Sequence, residues 1–221
     1  MDHLLAHLAG ERTYGHYLLS ADSEAKLFVF DIDLIAKPEG TWVDFESGEV
    51  HAGVNPLELW SDRTRAGVSA RAWYKYQLKM LAHRFADECM KIGVECAAAY
   101  SRHKGVHVYG FTGKMPATEV REAAMLVLDR MDEFEPYRGQ NFWRHKNSDP
   151  AHGFQNFSIE VFPKQVSLDG KSLGNLVRLP LGVNHKAPKD PTFFLDLRTP
   201  LAQFTPHPNP VELLKTGNPF E

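Results

Sequence analysis

This sequence has little cysteine, no long apolar run and no excess of basic residues. Only two of its 221 residues are cysteine, too few for a disulfide framework or for a zinc site built from cysteines alone. No stretch approaches the roughly 20 consecutive apolar residues that span a bilayer, and the first residues lack the charged and apolar regions of a secretory signal. We therefore expect a protein of the reducing cytosol that does not engage a membrane.

The charge balance also limits the classes of function. Lysine and arginine together number 25 against 28 acidic residues, for a formal net charge of −3. A domain that grips DNA unaided usually carries a basic excess, so this chain either leaves nucleic acid alone or holds it weakly and locally. The sequence contains neither GxxxxGK[ST] nor GxGxxG, which excludes P-loop and Rossmann nucleotide sites.

The sequence does have a globular composition and a regular order of elements. Apolar residues make up 43% and charged residues 24%, values typical of a folded domain with a substantial core. Strand-forming runs lie at 27–35, 94–100, 106–111 and 156–162, and helical spacing at 69–93 and 116–134. The order is βαββαβ. It predicts an α+β fold with a ferredoxin-like or RRM-like palm sheet of strand order 4-1-3-2.

Further segments are expected around this sheet. Residues 41–53 predict a short hairpin, and two more short strands are expected within 174–182 and 192–197. We expect residues 1–198 to form one domain of two interlocked α/β subdomains, with an N-terminal α/β extension packed on the sheet. The proline-rich residues 199–221 form either an extended wrap that ends in a helical turn or the start of a linker.

Alternation along three strands predicts a cluster of ionisable side chains. Successive side chains of a strand point to opposite faces. Asp31 and Asp33 share one face of the first strand, opposite its large apolar residues. His107 in the third strand and Glu160 in the fourth lie opposite aliphatic residues. Because these strands are neighbours in the expected sheet, the four side chains should gather on the face that the helices leave open.

Such a cluster of carboxylates predicts a divalent metal site. Asp31 and Asp33 would lie about 7 Å apart along their strand, with Glu160 on the neighbouring strand. Carboxylates this close raise one another's pKa unless a cation holds them. Their oxygen atoms suit Mg²⁺ or Mn²⁺, and two-metal phosphoryl or nucleotidyl transfer uses such sites. The alternative is a strand with solvated aspartates, because an Asp-x-Asp pattern alone is a weak signal.

The turn before His107 has the composition of a triphosphate cradle. It offers the hydroxyl of Ser101, the cations of Arg102 and Lys104, and a glycine that lets backbone N–H groups approach a phosphate. The alternative for His107 is a half-buried histidine packed between Tyr109 and the sheet.

The segment 138–147, RGQNFWRHKN, is expected to be a loop that mixes cations with aromatic rings. Arg138, Arg144 and Lys146 would pair with phosphates while Trp143 stacks on a base, which is the usual composition of a single-strand binding surface. A loop tethered to the fold by one buried aromatic side chain would have the same composition.

Three motifs in this order resemble the archaeo-eukaryotic primase superfamily. They are FVFDIDL, then SRHKGVHVYGF, then IEVFPKQ followed by LGNLVRLPLGVNH. The lead-in TYGHYLLSADSEAKLFVFDIDL is also similar, so that the resemblance covers residues 13–185. Within the superfamily, the chain resembles the primase-polymerase domains of conflict-system and CRISPR-associated proteins and of phage replication proteins.

The resemblance implies a role for individual residues. Asp31 and Asp33 match the first motif and Glu160 the third, so these residues would bind the catalytic Mg²⁺ or Mn²⁺ ions. His107 matches the histidine of the second motif, which contacts the phosphates of the incoming nucleotide. By the same resemblance the nucleotide pocket includes Lys164, Asn175, Arg178 and His185. Ordinary surface charge is the alternative for the lysine and the arginine.

The function implied is that of a DNA-directed primase-polymerase. Such a nucleotidyltransferase joins NTPs or dNTPs on a single-stranded DNA template, with or without de novo primer synthesis, in phage or mobile-element replication. Residues 1–198 would be its catalytic domain. Because the chain has no basic excess, we expect a larger parent protein with a helicase domain, or an accessory DNA-binding partner.

The chain departs from the family pattern in two respects, and two other functions are considered. Two cysteines do not furnish the zinc-binding insertion of many relatives, and Glu160 stands where several relatives have aspartate. Another palm-type nucleotidyltransferase or cyclase would need no template. A catalytically silent nucleic-acid-binding module would place stacking aromatics on its central strands, where this chain has carboxylates.

Overall fold

The structure is a computed structural model and describes residues 2–36, 40–146, 154–168, 174–185 and 191–220. The helices are α1 (Asp2–Leu8), α2 (Pro56–Ser61), α3 (Arg65–Lys91), α4 (Ala117–Arg130) and α5 (Pro210–Thr216). The strands are β1 (Gly15–Tyr17), β2 (Glu24–Leu34), β3 (Gly40–Val43), β4 (Val50–Val54), β5 (Glu95–Tyr100), β6 (Gly105–Pro116), β7 (Phe134–Pro136), β8 (Phe142–His145), β9 (Phe157–Phe162), β10 (Leu176–Arg178) and β11 (Phe193–Phe194).

One large sheet organises the fold. Its strand order is β11-β5-β6-β2-β9-β8-β7, and every pair of neighbours is antiparallel. The helices α3 and α4 connect β2 to β5 and β6 to β9, so the chain runs βαββαβ through the centre of the sheet. The first of these strands lies between the fourth and the third, which is the predicted order 4-1-3-2. The fold is therefore a mixed α+β fold built on an antiparallel sheet.

The main core lies between this sheet and the helices. Phe28, Phe30, Ile32 and Leu34 alternate along β2 and are completely buried, in one cluster with the apolar side chains of α3 and α4. Burying each such side chain contributes about 1.5–3 kcal/mol. The helix α3 ends just before Gly93, whose φ of +77° is the left-handed conformation expected one position past a helix end.

The opposite face of the sheet is partly covered, a feature that the alternation pattern does not predict. Strands β1 and β10 pair as a separate two-stranded ribbon, with Gly15 opposite Arg178. Buried apolar side chains from the ribbon, the residue after β1, the large sheet and α5 form a second cluster, whose members are Leu18, Val29, Ala97, Ala99, Tyr109, Phe162, Val177, Phe194 and Leu213. The ribbon therefore builds a wall beside the ionisable residues of β2.

Part of the predicted loop at 138–147 belongs to the sheet, because Phe142–His145 form strand β8, which corrects the sequence-based expectation. Strands β7 and β8 form a hairpin in which Tyr137 N donates to the carbonyl oxygen of Phe142 at 2.7 Å. Strand β8 also pairs with β9, with Phe142 opposite Glu160. Strands this short show too little alternation to be recognised from sequence. Asn147 lies outside the described residues.

The C-terminal residues lie against the β5 edge of the sheet. The backbone N–H of Cys96 donates to the carbonyl oxygen of Gly217, and that of His207 donates to the carbonyl oxygen of Phe194, both at 2.7 Å. Leu213 of α5 is buried. These contacts pack residues of the tail onto the sheet. Among the described residues, no helix has the combination of length and hydropathy that crossing a membrane requires.

A buried lysine fastens the start of this tail. The side chain of Lys79 in α3 is completely buried. Its ammonium group donates to the carbonyl oxygens of Thr199 at 2.9 Å, Gln203 at 2.8 Å and Pro200 at 3.2 Å. Buried ammonium groups are tolerated only where acceptors surround them, so these carbonyl oxygens and the lysine depend on each other.

We predict that Lys79→Met destabilises the protein by about 2–4 kcal/mol, because three carbonyl oxygens lose the charged donor that the buried Lys79 supplies. Urea unfolding measures the loss, and hydrogen exchange should show faster exchange in residues 199–203. The control is Lys75→Met, one helical turn earlier, where the ammonium group lies 5.8 Å from the centre of the Phe204 ring. An equal loss of stability in the two variants would contradict the anchoring role of Lys79.

Candidate active site

The register of the central strands brings the predicted ionisable residues together. Asp31 on β2 lies directly opposite His107 on β6 and directly opposite Glu160 on β9. Directly opposed residues of an antiparallel pair point to the same face, so these three side chains form one row across the sheet. Asp33 follows on the same face of β2, opposite Gly105 and Ser158. The row, as named below, comprises Asp31, Asp33, His107 and Glu160.

Each of the three carboxylates faces a side chain that can carry positive charge. His107 Nε2 lies 3.3 Å from Asp31 Oδ1, and Lys104 Nζ lies 2.9 Å from Asp33 Oδ2. Glu160 Oε1 contacts Lys164 Nζ. The acidic row is thus neutralised locally by residues of the same face.

The turn before β6 is shaped for the contact between Lys104 and Asp33. A methyl group added at Gly105 would overlap with Asp33 Oδ1 and with the carbonyl oxygen of Ile32. Lys104 Nζ also donates to the carbonyl oxygen of Leu34 at 2.9 Å, which holds the turn onto β2. Glycine therefore serves here by permitting close approach of the carboxylate.

His107 belongs to a hydrogen-bonded chain that runs to the ribbon. The Tyr109 hydroxyl donates to the carbonyl oxygen of Arg178 at 3.2 Å, and its oxygen lies 3.1 Å from His107 Nδ1. A hydroxyl has one proton, so Nδ1 must donate to Tyr109. The imidazolium form, which carries a proton on each nitrogen, therefore matches the contacts with both Tyr109 and Asp31.

The charges shift one another's pKa in agreement with this assignment. Burial alone would lower the pKa of His107, but the charge of Asp31 raises that pKa above its ordinary value. Burial opposes ionisation of Asp31, but the charge of His107 holds the Asp31 pKa below its ordinary value. Burial, aided by the charge of Asp31, raises the pKa of Asp33. Burial likewise raises the pKa of Glu160.

A pocket of about 290 Å³ opens beside this row, between the sheet and the β1–β10 ribbon. Its lining residues are Thr13, Tyr14, Gly15, Asp31, His107, Phe162, Leu176, Val177 and Arg178. Arg178 brings a guanidinium group to the same pocket as Asp31 and His107. An anionic ligand with a planar group would find a cation, a histidine and apolar walls here.

The donor atoms of the row suit a hard divalent cation. Asp31 Oδ1 and Glu160 Oε1 are buried, and each contacts a cation without receiving a well-directed hydrogen bond. Such orphaned carboxylate oxygens, on directly opposed residues, are the ligands that Mg²⁺ and Mn²⁺ prefer. In the described part of the chain, however, no three His, Cys, Asp or Glu side chains converge into a ready metal cluster.

Some of the other predicted nucleotide-binding residues lie at the row or its pocket, and the rest lie elsewhere. Lys104, Lys164 and Arg178 lie at the row or at its pocket. The Ser101 hydroxyl donates to the carbonyl oxygen of Gly105 at 2.8 Å, which closes the turn. Arg102 Nε donates to the carbonyl oxygen of Pro191, and the guanidinium group lies over the Phe193 ring. Asn175 and His185 are exposed and do not line the pocket.

The predicted template-binding residues lie on or next to the β7–β8 hairpin. Trp143 packs against the main core, opposite Ile159, and so faces away from the carboxylates. The Arg138 and Arg144 guanidinium groups lie 5.0 and 4.8 Å from the centre of the Tyr137 ring. Lys146 Nζ contacts the carbonyl oxygen of Asp132.

Phe142 is the aromatic residue of the hairpin that shares the carboxylate face, because it lies directly opposite Glu160. The Lys164 ammonium group is 5.3 Å from the centre of its ring. Alternation along β8 places Arg144 on the same face. Once β8 is recognised as a strand, its period of two distinguishes Phe142 from Trp143.

The N-terminal wall of the pocket is the part that motif analysis misses. Thr13, Tyr14 and Gly15 line it, and the buried His7 holds them in place. The backbone N–H of Tyr14 donates to His7 Nδ1 at 3.1 Å, so the proton of the neutral ring is on Nε2, which donates to the carbonyl oxygen of Pro180 at 3.0 Å. The only signal in the sequence is the similarity of this lead-in to primase domains.

Comparison with known proteins now adds to this geometry. No curated protein matches the chain. A family model described as the archaeo-eukaryotic primase domain of the TOTE conflict system matches residues 1–218, which includes the row, its pocket and most of the C-terminal tail. The resemblance inferred from the three motifs is confirmed: the chain belongs to the archaeo-eukaryotic primase domain family of TOTE conflict systems, a family with primase or nucleotidyltransferase-type function.

Proposed function

We propose that the chain is a DNA-directed primase-polymerase that joins nucleotides on a single-stranded DNA template by two-metal nucleotidyl transfer. The observation that carries the proposal is the row in which Asp31 lies directly between His107 and Glu160, beside a pocket that also contains Arg178. The sheet β9-β2-β6-β5, with α3 and α4 on its other face, would serve as a ferredoxin-like palm.

Residues of the row and of its pocket would act either as metal ligands or as phosphate ligands. Asp31, Asp33 and Glu160 would hold Mg²⁺ or Mn²⁺, which in such sites lowers the pKa of the attacking hydroxyl and neutralises charge on the leaving pyrophosphate. His107 and Arg178 would hold the triphosphate in the pocket. Because β6 holds His107 and the ribbon holds Arg178, these two donors lose little conformational entropy when an anion binds. Such positioning of the substrate is a large part of catalysis.

The two alternatives differ from this proposal in what they require. A template-independent nucleotidyltransferase or cyclase could use the same row, so only the dependence on template separates it. A silent nucleic-acid-binding module needs exposed aromatics on the central strands. Tyr109 and Phe162 are the aromatic residues of β6 and β9 nearest the row on this face, and they are only 4% and 6% exposed, which disfavours the module.

The decisive test is primer extension on single-stranded DNA with Mn²⁺ or Mg²⁺ and labelled nucleotides. We predict that Asp31→Asn lowers extension by at least about a thousandfold, because the substitution removes the charge of a central metal ligand. Asp129→Asn, at an exposed position of α4, should retain full activity. Products that do not depend on template would favour the alternative nucleotidyltransferase, and equal activity of wild type and Asp31→Asn would refute the site.

A second prediction concerns the link between His107 and the ribbon. Tyr109→Phe removes the acceptor for His107 Nδ1 and the donor to the Arg178 carbonyl oxygen, so both phosphate ligands lose their positioning. We expect the KM for nucleotide to rise by roughly fivefold or more and the free energy of unfolding to fall by about 1 kcal/mol. Tyr74→Phe is the control, because this tyrosine of α3 is completely buried in the main core, on the other side of the sheet. A rise in KM of the same size in the control would contradict the prediction.

The third prediction concerns the template. We propose that Phe142 and Arg144 contact the single strand, because they share the carboxylate face. Phe142→Ala should weaken binding of a labelled oligodeoxynucleotide by roughly tenfold, through loss of one stacked base, as measured by fluorescence anisotropy. Lys146→Ala should have a smaller effect, since Lys146 reaches back to Asp132. The reverse order of the two effects would refute this path.

A further inference from the structure

Two lysines at the row lie where divalent cations would have to bind. Lys104 Nζ is 2.9 Å from Asp33 Oδ2, and Lys164 Nζ contacts Glu160 Oε1. With His107 on Asp31, every carboxylate of the row has an internal counter-ion. This arrangement accounts physically for the lack of a ready metal cluster in the described residues, since the carboxylates turn towards different cations.

The lysines of these two pairs are less exposed than the lysines that pair with carboxylates elsewhere in the described chain. The side chains of Lys164 and Glu160 are 24% and 20% exposed, and those of Lys104 and Asp33 are 24% and 36% exposed. The pair of Lys215 and Glu212 on α5, in contrast, is 68% and 55% exposed. Enclosed charges interact more strongly because water screens them less. The group that neutralises these carboxylates therefore strongly affects their affinity for a second cation.

The contact between Lys164 and Glu160 brings opposite charges together but has poor hydrogen-bond geometry. Glu160 Oε1 receives no well-directed hydrogen bond, although it touches the ammonium group. The same ammonium group lies 5.3 Å from the centre of the Phe142 ring and 5.0 Å from that of Phe162. Aromatic faces attract cations, so the ammonium group has favourable partners even when it leaves the carboxylate.

Lys104 has a second partner of another kind. Its ammonium group donates to the carbonyl oxygen of Leu34 at 2.9 Å, a bond that does not depend on Asp33. Both lysines can therefore give up a carboxylate without becoming buried and unpaired charges, which would be strongly unfavourable.

We propose that Lys104 and Lys164 are displaceable counter-ions: they neutralise Asp33 and Glu160 until a divalent cation binds, and their released ammonium groups then hold the triphosphate of the nucleotide. The proposal rests on the proposed function and adds a positioning role for the two lysines. Under this proposal, the nucleotide binds to the metal-bound form of the site.

Thermodynamic linkage follows from this exchange. The lysines compete with the metal ion for the carboxylates, so part of the metal's binding free energy is used to displace them. Once displaced, they favour an anion nearby, so metal ion and nucleotide increase each other's affinity by the same factor. Removing one lysine should therefore strengthen metal binding alone and reduce the mutual enhancement.

The experiment measures Mn²⁺ binding to the full chain by electron paramagnetic resonance and calorimetry, first without nucleotide. We expect Lys164→Met to bind Mn²⁺ roughly tenfold or more tightly than wild type, because a competing unit charge has been removed from an enclosed site. Lys104→Met should behave in the same way. Lys164→Arg, which keeps the counter-charge, should remain close to wild type.

The second titration adds a nucleoside triphosphate with a non-cleavable α,β linkage. In wild type, Mn²⁺ should raise the affinity for this analogue strongly, whereas in Lys164→Met the enhancement should be several-fold smaller. Lys215→Met is the control for loss of a lysine that pairs with a glutamate far from the row, and it should match wild type in both titrations.

The outcomes separate this proposal from the proposed function. If Lys164→Met and Lys104→Met bind Mn²⁺ with wild-type affinity or more weakly, the counter-ion proposal is overturned, even if wild type extends primers. If the Mn²⁺ pattern is as expected but wild type makes no template-dependent product, the exchange stands and the polymerase assignment falls. Should one of the two Met variants fail to fold, the other decides the question.

Discussion

Strand β2 is hydrogen-bonded on both sides, and its register with β6 and β9 controls the site. Side chains alternate with a period of two, so a slip of one residue would turn Asp31 and Asp33 into the main core. Such a slip would also expose Phe28 and Phe30, which are completely buried between sheet and helices. The free energy of packing the core is therefore what holds the row of charges in place.

Local neutralisation explains how one face of the sheet can hold three carboxylates close together. The formal net charge is −3, so no long-range attraction draws nucleic acid to the whole domain. The row instead balances its own charge through His107, Lys104 and Lys164. The proposed function therefore requires short-range contacts and bound cations, and under it the affinity for DNA should respond to divalent ions more than to bulk charge.

The parts of the fold that the sequence predicts are those with long, regular patterns. The strand order 4-1-3-2 and the shared face of Asp31, His107 and Glu160 follow from alternation over several residues and from the order of the elements. The β1–β10 ribbon does not, since each of its strands has three residues and its pairing joins distant parts of the chain. The partners of a long flexible side chain such as Lys104 are likewise set by tertiary packing, because Asp33 and Leu34 lie far from it in the sequence.

The tail has a consequence for the solubility of the sheet. Strand β5 would otherwise expose a row of unpaired backbone groups, and such edges invite pairing with another chain. Here two separate pieces of the chain pair with β5. The backbone N–H of Leu195 donates to the carbonyl oxygen of Ala98, and the carbonyl oxygen of Gly217 accepts from the backbone N–H of Cys96. Neither piece is long enough to act as a template for a further strand. The C-terminal residues thus cover this edge of the sheet, and losing them would expose backbone groups that invite edge-to-edge pairing with another chain.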